Sequence, residues 1–261
     1  MALPFSVQRT IVLAPHPDDD VIAAGGLIQR VIASRGDVQV VFVTDGENNP
    51  WPQRLIERKF FLEAGDRAKW GAMRRRLGIG ERSATFLAFP DQGVSKLARR
   101  GDTRLRDALR TIVEKFQPTL IVSPSSFDLH ADHRAIAYYA HTAAPDAMIA
   151  TYVVHGAAPA ARAACEIELT ECEQQRKREA IECHVSQLAL SRDRFLSYAR
   201  TTEPFYAAEF DLVRVESAAR ERMIALRHSM RVLFGAYPSA GSGVQPAADV
   251  QDRPGDVPGL L

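Results

Sequence analysis

Cysteine is scarce in this chain: Cys165, Cys172 and Cys183 are the only three among 261 residues. The number is odd, no pair has CxxC spacing, and all three fall in a helical-looking stretch. Neither a disulfide framework nor a zinc knuckle is expected, and the thiols read as reduced, in a cytoplasmic protein. Charge of one sign is also lacking, because 33 basic and 32 acidic residues leave a net +1. That balance offers no footprint for nucleic acid or an anionic membrane. No apolar run reaches the ~20 residues of a membrane-spanning helix, so no integral anchor is expected. The opening ten residues lack a cationic region followed by an apolar core and do not read as a secretory leader. Large apolar residues become sparse after Tyr237, where Gly, Pro, Ser, Ala and Asp dominate. The expected organisation is one domain over 1–235 and a disordered tail over 236–261. No internal repeat is visible.

What is present is ordinary for a globular protein: 46% hydrophobic and 25% charged residues, enough for a sizeable core. Short apolar runs alternate with helical periodicity, the signature of an α/β domain with a parallel sheet. Strands are expected at 11–14, 38–44, 85–89, 119–123 and 150–154, and helices at 21–34, 54–77, 105–116 and 132–143. Beyond residue 156 the alternation weakens. Residues 171–182 and 195–200 read as helices, 210–215 as an edge strand, and Met223 to Leu233 as a last helix. The expected fold is a Rossmann-like, mostly parallel sheet in the order 3-2-1-4-5 with helices on both faces.

Two polar motifs stand at the ends of expected strands. Ala14-Pro15-His16-Pro17-Asp18-Asp19-Asp20 follows the first, and Phe127-Asp128-Leu129-His130-Ala131-Asp132-His133 follows the fourth. Ligands of open α/β sheets bind outside the carboxyl ends of the strands, where the strand order reverses. In the order 3-2-1-4-5, strands one and four are neighbours across that point, so both motifs face one crevice. Three adjacent carboxylates repel one another, and a strand-to-helix turn has no need of them. A divalent cation offsets that repulsion, and imidazole with carboxylate suits zinc, iron or manganese. Two histidines and one carboxylate also leave positions open for water and substrate. Each motif has a plainer reading alone: the aspartates as helix caps, the histidines as surface residues on a first helical turn. Their coincidence at two strand ends favours the metal. Spacing does not select the carboxylate ligand, since i and i+2 of an extended chain would pair His16 with Asp18.

These stretches resemble the LmbE-like (PIG-L) family of metal-dependent N-acetylglucosaminyl deacetylases. His16-Pro17-Asp18-Asp19 is similar to the family's His-Pro-Asp-Asp-Glu, and His130-Ala131-Asp132-His133 to its His-x-Asp-His. Thr44-Asp45-Gly46-Glu47, Pro90-Asp91-Gln92-Gly93, Val153-Val154-His155-Gly156 and Ser186-Gln187 extend the likeness over roughly residues 10 to 205. The resemblance implies His16, Asp19 and His133 as ligands of a metal, usually zinc. It implies Asp18 as the base that activates water. It gives His130 to the oxyanion or the leaving amine, and Asp132 to orienting a histidine. The implied substrate is an N-acetylated sugar or its conjugate, and Arg54, Asp91 and His155 are the loop residues expected to reach it. Asp20 departs from the family's Glu by one methylene, and is expected still to cap the helix or hold Thr44.

Two rival readings stay open at this point. A two-histidine, one-carboxylate set also serves ferrous-iron oxygenases, although their jelly-roll barrels do not match the α/β alternation. A non-catalytic metal-binding protein on the same fold is the other. Gly25-Gly26 lacks GxGxxG spacing and is expected to permit close helix–sheet packing. Arg74-Arg75-Arg76 reads as a solvated helix face, and His141, His184 and His228 as surface or helix-face residues. The acyl group, the amine and the oligomeric state are not legible.

Overall fold

The computed structural model describes residues 8–47, 66–80, 83–156 and 163–208. The strands are β1 (Arg9–Ala14), β2 (Asp37–Thr44), β3 (Ala84–Phe89), β4 (Leu120–Pro124), β5 (Ile149–Tyr152), β6 (Cys165–Glu168) and β7 (Thr202–Ala207). They form one sheet in the order β3-β2-β1-β4-β5-β7-β6. The first five run parallel, whereas β7 is antiparallel to β5, and β6 to β7. The order expected for the parallel strands is the one observed. Among the described residues the sheet continues into an antiparallel edge that the sequence did not signal. It is built from Cys165–Glu168 and Thr202–Ala207, and residues 210–215, 223–233 and the tail lie outside the described residues.

Burial on both faces explains why the central strands are apolar without alternation. Val12 and Ala14 pack beneath α1 (Asp19–Ala33), α2 (Asp66–Leu77) and α6 (Glu171–Glu182), with Leu27, Trp70 and Ile181 in the same cluster. Ile11 and Leu13 point the other way, toward α4 (Arg104–Phe116) and α5 (Ala131–Ala143), where Leu109, Ile136 and Tyr139 meet them. Each of the Val, Leu and Ile side chains among these, fully buried, stabilises the fold by roughly 1.5–3 kcal/mol. The short α3 (Val94–Arg99) and α7 (Val185–Leu196) complete the helices of the described residues. Among those residues no helix is long and apolar enough to cross a membrane.

Because β1 and β4 are parallel neighbours, the loops leaving both open at the same sheet edge. Helix α1 starts in the first of these loops and is not straight: Ala24 departs from helical geometry, at φ −134° and ψ 17°.

Candidate metal centre

The loop after β1 is shaped by its own backbone and by the neighbouring strand. Asp18 and Asp19 donate their N–H groups to the His16 carbonyl at 2.9 and 3.2 Å, and α1 begins there. Thr44, at the end of β2, donates its N–H and its hydroxyl to the Pro15 carbonyl at 3.0 and 2.9 Å. The same turn lets His16 donate its backbone N–H to Asp19 Oδ2, and that oxygen lies 3.0 Å from His16 Nδ1. From the β4 side, His133 Nε2 approaches Asp19 Oδ2 to 3.2 Å. The ligand-capable atoms of His16, Asp19 and His133 all lie within 4.8 Å of one another.

Whether this set fits a metal turns on the atoms left over. His133 is 0% exposed, yet its Nε2 makes no hydrogen bond despite the nearby carboxylate. Each imidazole places its other nitrogen on a second carboxylate. His16 Nε2 is 3.1 Å from Asp91 Oδ1, and His133 Nδ1 is 3.2 Å from Asp128 Oδ2. Metal-ligating histidines are oriented in this manner, with one nitrogen toward the ion and the other on a carboxylate. The set fits a divalent cation of the zinc or iron type.

Electrostatics points the same way. Burial disfavours the His16 imidazolium, but Asp19 and Asp91 outweigh it and hold its pKa well above the ordinary value. Burial acts likewise on His133, where Asp128 and Asp19 win and push the pKa up to about 10. Asp19, which burial alone would raise, is held well below the carboxylate range by His133 and His16. The side of the pocket shared by Asp19, Asp91 and Asp128 therefore favours positive charge, which protons or a cation can supply.

Asp128 went unassigned in the sequence, and it organises this side of the centre. Its Oδ2 accepts from His133 and from the backbone N–H groups of Val154 and His155, at 2.9 and 3.1 Å. Its Oδ1 accepts the His130 N–H at 2.8 Å. Asp132, expected to orient a histidine, accepts the Ser95 N–H from the first turn of α5; its Oδ2 is buried without a hydrogen-bond partner, and its carboxylate lies with His16 and His130 in a second group of ligand-capable atoms within 4.8 Å of one another. The carboxylate on His133 is Asp128, which precedes the helix and so reaches back across the loop. A carboxylate five positions ahead of His133 was the available signal.

His130 caps α5, its Nδ1 accepting the Asp132 N–H at 3.3 Å. The proton of the neutral ring then resides on Nε2. Burial, followed by His16, His133 and His155, holds its pKa well below the ordinary value. The His130 ring lies 4.9 Å from that of His16 and 5.4 Å from that of His155, so His155 belongs to the same cluster. Burial lowers the His155 pKa to about 4.

The remaining expected residues divide. Asp18 is half-buried at the start of α1, where its side chain makes no capping hydrogen bond. Asp91 reaches the centre through His16, and its N–H donates to Glu47 Oε1 at 2.8 Å, which ties the Thr44–Glu47 stretch to the same loop. Arg54 lies outside the described residues. Asp20 neither caps the helix nor holds Thr44, whose hydroxyl is committed to Pro15. Both Asp20 oxygens are buried without a hydrogen bond, and burial raises its pKa to about 8. His184 is buried rather than on the surface, while His141 is exposed.

A mostly parallel sheet with a two-histidine, one-carboxylate centre at the carboxyl ends of β1 and β4 defines an LmbE-like α/β protein. The chain belongs to the PIG-L family, an enzyme family whose profile, described as GlcNAc-PI de-N-acetylase, matches residues 11–144. The diacetylchitobiose deacetylase of Thermococcus kodakarensis is 29% identical over 143 residues, which are 50% of this chain and 47% of that protein. The chain thus matches about half the length of that relative. The structure of the zinc-inhibited form of teicoplanin deacetylase Orf2 superposes with a TM-score of 0.60 at 17% identity, over 78% of this chain and 100% of that one. The 4-carboxy-2-hydroxymuconate hydratase GalB from Pseudomonas putida KT2440 gives 0.57 at 18% identity, over 73% and 82%. At such identities these two structures establish the fold.

Proposed function

We propose that the protein is a zinc-dependent N-deacetylase that removes an acetyl or similar acyl group from an amino sugar or its conjugate. The observation that carries this reading is the convergence of His16, Asp19 and His133, with each imidazole backed by its own carboxylate. Family membership and the diacetylchitobiose deacetylase likeness support the acyl-sugar substrate. His16, Asp19 and His133 would hold the ion. When bound, the ion supplies Lewis-acid polarisation of the amide carbonyl and a water whose pKa is lowered.

The chain's own groups supply the rest. Asp18, half-buried at the cap position of α1 two residues after His16, is the base that takes the proton of the attacking water. His130, with Nδ1 occupied by the Asp132 N–H, presents Nε2–H as a donor to the oxygen that gains charge. That tautomer supports the oxyanion role, with proton donation to the leaving amine as the alternative. Asp91 and Asp128 keep the two ligand histidines in place. His155, whose ring lies in the same cluster, is the residue we assign to substrate contact. The ferrous-oxygenase alternative loses the barrel scaffold on which such sites are typically found.

The test is acetate release from a panel of N-acetylated amino sugars and conjugates. Metal-depleted protein, zinc-restored protein and zinc-restored Asp18→Asn are compared. Zinc-dependent release that Asp18→Asn reduces by about 100-fold or more, with zinc still bound, is the expected result. No release from any compound, despite one equivalent of bound zinc, would overturn the deacetylase reading and leave the metal centre standing.

A further inference from the structure

Glu203 stands outside the metal centre, yet it grips the helix that carries one of its ligands. At Ala24 the backbone of α1 leaves helical geometry, so the helix is two segments in series. A break of this kind frees the N–H groups of the turn that follows, and Ala24 has no side-chain oxygen to satisfy them. The carboxylate of Glu203, on β7, takes two of them. Gly26 donates to Oε1 at 2.7 Å and Leu27 to Oε2 at 2.9 Å, across 177 and 176 residues of sequence. Counting from Ala24, these are the second and third residues of the new segment, the positions a capping side chain serves at an ordinary helix start. The negative charge also faces the positive end of that segment's dipole.

The cap is anchored. Lys177 of α6 places Nζ 2.6 Å from the same Oε1, and both side chains are 1% exposed. Glycine eases this approach: a Cβ at Gly25 would stand 3.2 Å from Lys177 Cγ. One at Gly26 would stand 3.0 Å from Glu203 Oε2 and overlap Leu169 Cδ2. On the other side of the break, the first segment is little more than one turn long. It begins at Asp19, five residues before Ala24, with Asp18 at its cap position.

We propose that the buried Glu203–Lys177 pair is a positioning device for the metal centre. By capping α1 at the Ala24 break it sets the direction of the first segment, and with it the placement of Asp18 and Asp19 against His16 and His133. The inference rests on the metal-centre reading above. A pair that merely stabilised the fold would affect melting alone.

The experiment uses the full chain and two variants, Glu203→Gln and Lys177→Met/Glu203→Gln. Zinc affinity is read by competition with a chromophoric chelator, and kcat and KM on whichever panel sugar the native protein deacetylates. All are measured at a temperature where melting curves show each protein folded. The amide of Glu203→Gln keeps the shape but offers one acceptor oxygen to two N–H groups. Zinc affinity and kcat are expected to fall about tenfold, the scale seen when groups supporting metal ligands are lost, with KM little changed. The double variant removes the charge stranded on Lys177. It should therefore recover melting temperature but not zinc affinity, and it serves alone if Glu203→Gln fails to fold. Native zinc affinity and kcat in either folded variant would overturn this inference alone. Native protein that binds no zinc would overturn the metal-centre reading and this inference together.

Discussion

Replacing Asp128 by asparagine tests the reasoning about the centre most directly. The carboxylate is 1% exposed and accepts four hydrogen bonds, one on Oδ1 and three on Oδ2. An amide turns one of those oxygens into a donor. In the milder orientation the nitrogen faces the His130 N–H, and one buried backbone donor is orphaned. In the other it faces His133 and the N–H groups of Val154 and His155. The milder case destabilises the fold by about 1–3 kcal/mol, read as roughly 2–4 °C in Tm for each kcal/mol in a domain of this size. His133 also loses the charge behind Nδ1, and such losses typically weaken metal affinity about 10–100-fold. Zinc affinity is measured by chelator competition, beside thermal melts of metal-free and zinc-loaded protein. Asp107→Asn is the comparison, because Asp107 is an exposed carboxylate of α4 that accepts from Thr103 and Arg106. Equal zinc affinities for native protein and Asp128→Asn would refute the argument. So would an equal loss in Asp107→Asn.

Two further outcomes follow from packing and from titration. Gly26→Ala puts a methyl group into Leu169 and against Glu203. A destabilisation of about 1–3 kcal/mol is expected from such overpacking, and an unchanged Tm would refute the tight approach. Asp20, with its folded pKa raised by burial to about 8, is neutral in the folded protein while the unfolded chain ionises near pH 3.9. Its contribution is therefore intact below about pH 4 and is lost progressively as pH rises to about 8, at about 1.4 kcal/mol per pH unit. Metal-depleted Asp20→Asn should lack that slope, so native and variant unfolding free energies should diverge between pH 5 and 7.5. Parallel curves would refute the assignment.

The alternation of apolar runs with helical periodicity was enough to announce the parallel sheet. Strands 11–14 and 119–123, each followed by a histidine motif, were enough to bring the two motifs to one crevice. Both are local signals: a strand buried on two faces must be apolar throughout, and the residues leaving its carboxyl end must line the crevice. The resemblance at His16-Pro17-Asp18-Asp19 and His130-Ala131-Asp132-His133 then named three expected ligands, His16, Asp19 and His133, which the fold brings within 4.8 Å of one another. What stayed hidden was contact across long separations. The edge strand Cys165–Glu168 is too short to show a period, and its pairing with β7 depends on how α6 and α7 fold back. Asp91 looked like a loop residue open to substrate until β3 carried it to His16, 75 positions away. The motif drew attention to Asp132, and only the turn into α5 decided that Asp128 is the carboxylate on His133. Glu203, on a strand that the sequence reading missed, gains its role solely because β7 passes the break in α1. Periodicity and motif report what each residue type requires of its surroundings, whereas partners brought together by the sheet register exist only after the chain has closed.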